Sequence, residues 1–270
     1  PDPGRKLADL LCKTHGAQCC APALSCPTRW GELNMSSIDF LHWRGGAGWI
    51  VLSGGTSLAV EDGDDVELDI EARALARIAY GEPIAYIWAA GDQDEADIHL
   101  SVLDEMGAPT GYLIDVLTED DDTIRDQIKE AGMVLLGDGA DHESLRKGLL
   151  GAPTQAMEAA FARGGVMFGI GAGAVALGAI FHGAEREAGL GWVEKAIIVP
   201  RTEQPQQYDL LRDLLAEYPD HVGIGIPTGA ALVLGPDQQV EAWGPGITIV
   251  LGRDLAEELA ERAMNSDSEE

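Results

Sequence analysis

The chain has 270 residues, 46% of them hydrophobic, enough for a substantial core in one large or two small domains. Its net charge of -28 repels phosphate backbones and anionic bilayers, which argues against nucleic-acid and membrane partners. No apolar run reaches the roughly 18 residues of a membrane span, and the charged start makes a poor signal peptide, so a cytoplasmic protein is expected.

Residues 1–34 differ from the rest. They carry net +1, so -29 belongs to the remainder, and they hold all four cysteines, Cys12, Cys19, Cys20 and Cys26, beside His15. The paired C-x₂-C spacing of a strong zinc signature is absent. The segment therefore reads as a poorly ordered extension, with a metal knuckle as the alternative. One α/β domain is expected over 35–264 and an acidic tail over 265–270, with no metal or cofactor. Carboxylates cluster at 61–69, 92–97 and 119–122. They suit solvated loops and helix starts, where negative charge meets the positive end of the helix dipole, and they lack a Ca²⁺-loop spacing.

In chain order, continuous apolar runs predict strands at 48–53, 83–89, 111–116, 133–136 and 166–169. Amphipathic patterns predict helices at 64–79, 94–106, 121–131 and 153–163 between them. Strands of this kind separated by helices imply a mostly parallel sheet covered on both faces, a doubly wound three-layer sandwich. The last third adds a strand at 196–199, a helix at 205–216, closely spaced short strands at 222–226, 231–234, 239–243 and 247–251, and a helix at 253–263. Close spacing favours antiparallel pairing there.

The strands end in glycine-bearing loops: Ser53-Gly54-Gly55-Thr56, Ala90-Gly91-Asp92 and Gly137-Asp138-Gly139-Ala140-Asp141. In open α/β sheets ligands bind at the carboxyl ends of strands, which makes Gly54, Gly55, Thr56, Gly91, Asp92, Asp138, Gly139, Gly171 and Ala172 the candidate crevice. Ordinary turn chemistry explains each loop singly. The run Val166 to Ala174 ends a strand in alternating glycines and passes straight into a helix. That is the shape of a strand-to-helix nucleophile elbow, with Gly171 at the apex; a plain Gly-rich turn is the alternative.

These landmarks, in order, resemble the cyanophycinase and dipeptidase E family of serine peptidases. Gly54-Gly55 follows the first strand, Gly137-Asp138-Gly139 resembles the family's Gly-Gly-Gly/Asn loop, and Gly169-Ile170-Gly171-Ala172-Gly173-Ala174 resembles its Gly-x-Ser-Ala-Gly-Ala elbow. Gly189-Leu190-Gly191, 222–226, 230–233 and Trp243-Gly244-Pro245-Gly246 look like its C-terminal sequence. The resemblance spans about 48–251 and implies a flavodoxin-like sandwich related to class I glutamine amidotransferases. It also implies a serine at the place of Gly171, a histidine where Pro200-Arg201-Thr202-Glu203 stands, with Thr202 nearest, and an acidic pair at Pro227-Thr228. None of the three is present.

Serine-type hydrolysis needs a nucleophile, a base and oxyanion donors. Only the donors remain, as backbone N–H groups near Gly139 and Ala172. The expectation is therefore a family-like protein without peptidase activity, binding a small molecule, a peptide or a protein partner, with a homodimer open. The alternative is an active hydrolase with a relocated nucleophile, drawing on Ser53, Thr56 or Ser57 and on His142 or His182. A nucleotide-binding reading lacks the P-loop lysine and a strict G-x-G-x-x-G.

Overall fold

The structure, a computed structural model, describes residues 40–55, 66–79, 81–183 and 185–266. The cysteine-bearing extension, Thr56, Ser57 and the last four residues lie outside the described residues. The strands are β1 (His42–Trp43), β2 (Trp49–Ser53), β3 (Ile84–Ile87), β4 (Gly111–Ile114), β5 (Met133–Leu136), β6 (Val166–Ile170), β7 (Ile180–His182), β8 (Arg186–Ala188), β9 (Val193–Glu194), β10 (Ala196–Pro200), β11 (Val222–Ile226), β12 (Ala231–Leu234), β13 (Val240–Trp243) and β14 (Thr248–Leu251). The helices are α1 (Val66–Leu75), α2 (Gln93–Glu105), α3 (Asp121–Lys129), α4 (His142–Leu149), α5 (Ala152–Ala162), α6 (Ala172–Leu177), α7 (Pro205–Glu217) and α8 (Arg253–Ser266).

The central sheet runs β13-β12-β2-β6-β5-β3-β4. Its β2, β6, β5, β3 and β4 are parallel, while β12 is antiparallel to both β2 and β13. Chain order moves from β2 out to β4 through α1 and α2, then back to β6 through α3, α4 and α5. Right-handed crossovers require the helices to change faces when that direction reverses, and the core shows that they do. Val51, Tyr86, Leu135 and Phe168 pack with Ile70, Ala74, Ala96 and Leu103 of α1 and α2. The alternate residues Ile50, Ile87, Leu136 and Met167 pack with Ile124 and Ile128 of α3, Leu145 of α4 and Met157 of α5. The fold is thus a mostly parallel α/β sandwich of the flavodoxin-like, class I glutamine amidotransferase-like type.

A smaller sheet, β10-β11-β14, packs on the second face and carries α7 through Ile197, Val199, Leu211 and Leu214. The close spacing of the last strands does give antiparallel pairs at β12–β13 and β11–β14, but β11 lies parallel to β10 because α7 intervenes. Among the described residues no helix is long and apolar enough to cross a membrane, and no group of three or more His, Cys, Asp or Glu side chains could hold a metal ion.

Candidate functional site

Parallel strands deliver the loops after β2, β3, β5 and β6 to one edge of the sheet, and β10 and β11 bring their own ends beside them. Small residues let these backbones close up. Gly171 N–H donates to the Ser53 carbonyl at 3.1 Å, and Gly54 N–H to the Ala230 carbonyl at 3.1 Å. A Cβ on Gly54 would overlap the Pro227 carbonyl, and one on Gly91 would come within 2.6 Å of the Asp138 carbonyl. Gly139, at φ +155°, lies so tightly on Ala90 that a side chain there would strike its carbonyl.

Gly171 joins β6 to α6 with φ 51° and ψ -109°, backbone space that favours glycine and that a nucleophile elbow forces on its apex residue. The space beyond it is filled. A Cβ on Gly171 would overlap Oδ1 and Cγ of Asp138. The same Oδ1 accepts from Gly139 N–H at 2.8 Å and from Ala172 N–H at 2.9 Å, and Oδ2 accepts from the Arg201 guanidinium. Amides suited to holding an oxyanion therefore hold this protein's own carboxylate.

Arg201 is the residue that sequence reasoning passed over. It follows β10 with φ 57°, uncommon for a non-glycine residue, and its guanidinium lies against the α-carbon of Gly55, whose missing Cβ would sit 3.1 Å from Nη2. Thr202, the residue nearest the expected histidine position, packs against Gly225 of β11, and its buried hydroxyl has no partner among the described residues. The β10 register faces one neighbour to the elbow and the next to α7, a one-residue distinction that sequence alone left open.

The remaining candidates are arranged around this centre. Asp92 is exposed and caps α2, accepting from Asp94 and Glu95 N–H, so its carboxylate is engaged in helix geometry. Ser53 is buried, its hydroxyl accepting from Gly55 N–H at 3.3 Å. Pro227 packs under Gly246, while Thr228 donates both its N–H (3.0 Å) and its hydroxyl (2.7 Å) to Glu203. Burial raises the Glu203 carboxyl, but the bonds from Thr228, its own backbone and the nearby Arg201 charge outweigh it and leave the pKa below the usual value. His142 stacks edge-on against Phe181, and His182 Nε2–H donates to the Ile198 carbonyl at 2.7 Å. Burial depresses the His182 pKa, keeping it neutral. Neither histidine pairs with a hydroxyl among the described residues.

Among the described residues a hydroxyl–imidazole–carboxylate series does exist, on the face of the sheet that α1 and α2 cover. Tyr86 hydroxyl meets His99 Nδ1 at 3.2 Å, and His99 Nε2–H donates to Glu71 at 2.7 Å. Tyr86 is only 6% exposed. Burial first, then the charges of Glu71, Asp138 and Glu95, raise its phenol, so it stays protonated and makes a poor nucleophile. The series reads as a satisfied polar network tying α1 and α2 to β3.

No protein-family model and no curated protein matches the sequence. Solved structures that resemble the fold include two crystal structures. A peptidase from an acI-B1 Actinobacterium is 18% identical, with 76% of this chain and 91% of that one covered and a TM-score of 0.61. A protein assigned as Peptidase E from Listeria monocytogenes EGD-e is 13% identical, with 72% and 97% covered and a TM-score of 0.57. At these identities the likeness establishes the fold: this chain has the peptidase E-like α/β fold.

Proposed function

We propose that this protein is a member of the cyanophycinase and dipeptidase E family that does not cleave peptides, and that its crevice serves binding or regulation. One observation carries the reading: the elbow apex is Gly171, and the space for a nucleophile is taken by Asp138. Asp138 does not replace the missing serine, because Oδ1 is held by the Gly139 and Ala172 amides and Oδ2 by the Arg201 guanidinium, which leaves neither oxygen free to attack a carbonyl. The donors that would polarise a carbonyl are occupied by the same contacts.

The relocated-nucleophile reading finds weak material among the described crevice residues. Thr228 has a hydroxyl donating to a carboxylate, but Glu203 is held below the usual range and is a weak base. Labelling of the full chain with a serine-reactive fluorophosphonate, followed by peptide mass spectrometry, tests the proposal. No modification is expected. Stoichiometric labelling of Thr228 or of a residue in 53–57 or 138–144 would overturn it.

A further inference from the structure

The Asp138 side chain is held as a bound carboxylate is held. Its Oδ1 takes two amide hydrogens, from Gly139 and Ala172, and its Oδ2 takes the Arg201 guanidinium. The single amide of the short helix α6 would not define a site. The fixed cation does, together with the room cleared for it by Gly55 and the left-handed backbone that aims it. Guanidinium forks match the planar, two-oxygen shape of a carboxylate. Arg201 and Asp138 retain 33% and 25% side-chain exposure, so the pair opens to solvent. The backbone beneath Asp138 is fixed by the close approach of its carbonyl to Gly91 and of Gly139 to Ala90. Its side chain is the part with freedom to leave, by rotation about χ1.

We propose that the pocket formed by Arg201, Gly139 and Ala172 binds the carboxylate group of a ligand, and that Asp138 is a built-in competitor occupying it until the ligand displaces it. The inference rests on the reading of the crevice as a binding site and names the chemistry of what enters. An intramolecular competitor lowers the apparent affinity by the fraction of molecules in which the pocket is open, so the wild type binds simple carboxylates weakly and removal of Asp138 unmasks the site. The displaced Asp138 keeps its negative charge nearby, which favours a monoanionic group over a phosphate dianion.

The test is a titration of the full chain with sodium acetate, sodium chloride being the control at equal ionic strength and the thermal unfolding midpoint the readout. Asp138→Ala should show a saturable upward shift with acetate and none with chloride. Its half-saturation should lie roughly tenfold or more below that of the wild type. Adding Arg201→Met to Asp138→Ala should abolish the shift. Asp138→Ser serves as a second variant if the alanine protein does not fold. A free-acid peptide binding more tightly than acetate, with its C-terminal amide silent, would identify the carboxylate as a peptide terminus; parity with acetate would identify a small free acid, and both results support the pocket. Equal responses of wild type and variant, or a folded variant blind to acetate, would overturn it. No hydrolysis is read, so this failure would leave the non-peptidase reading standing, and turnover in a peptidase assay would defeat that reading without deciding the titration.

Discussion

The carboxylate of Asp138 stands where the side chain of residue 171 would begin: any Cβ on Gly171 overlaps it, while Oδ1 accepts the next amide, that of Ala172, at 2.9 Å. The two residues exclude each other's usual roles. A serine at 171 and this aspartate in this position do not fit together.

Gly171→Ser should therefore destabilise the fold without creating a peptidase. A non-glycine residue at φ 51°, ψ -109° is strained, and with Asp138 displaced the cost is about 2–4 kcal/mol. Adding Asp138→Gly should return part of that loss, giving a non-additive double-mutant cycle by chemical denaturation. Additive costs would show that the two side chains do not compete.

Arg201→Met should cost about 1 kcal/mol, since the pair is partly exposed and screened, and the difference from wild type should shrink as salt is raised. Urea unfolding at low and high ionic strength checks this. A salt-independent loss would assign Arg201 a packing role instead.

Removing Glu71 breaks a part-buried pair. Glu71→Ala leaves His99 without its acceptor and should cost about 2–3 kcal/mol, whereas Tyr86→Phe removes one hydrogen bond and should cost about 1 kcal/mol. The same denaturation measurement ranks them. The reverse order would contradict the network as described.

His182 sets part of the acid sensitivity. Its folded pKa lies below the ordinary 6.5 because burial disfavours the charged imidazole. The unfolded chain therefore binds the extra proton first, so this contribution is fully present above pH 6.5 and is lost as pH falls below it, toward the folded pKa. His182→Gln should flatten the slope of stability against pH in that window. An unchanged slope would show that His182 does not contribute to the acid sensitivity.

Much of the sandwich was legible in sequence because buried parallel strands are continuous apolar runs: 133–136 and 222–226 match Met133–Leu136 and Val222–Ile226 residue for residue. Helix α4 was not foreseen. Its eight residues follow a Gly-Asp-rich loop and look like its continuation, although Asp141 capping Ser144 and the Leu145, Leu149 spacing were available signals. The β7–β8 hairpin is too short to show a period. At the site, the glycines were visible because close approach demands them. The roles of Asp138 and Arg201 were not, since they depend on which way two side chains turn at the ends of strands 63 positions apart in the chain.

Turnover by the purified full chain on acidic dipeptides, β-linked aspartyl-arginine substrates and simple esters, with Gly171→Ser alongside, tests most directly whether the crevice cleaves peptides. Neither protein, each shown to be folded, should hydrolyse any of these substrates above buffer. Saturable turnover by the wild type would contradict the non-peptidase reading, and so would substantial activity gained by Gly171→Ser alone.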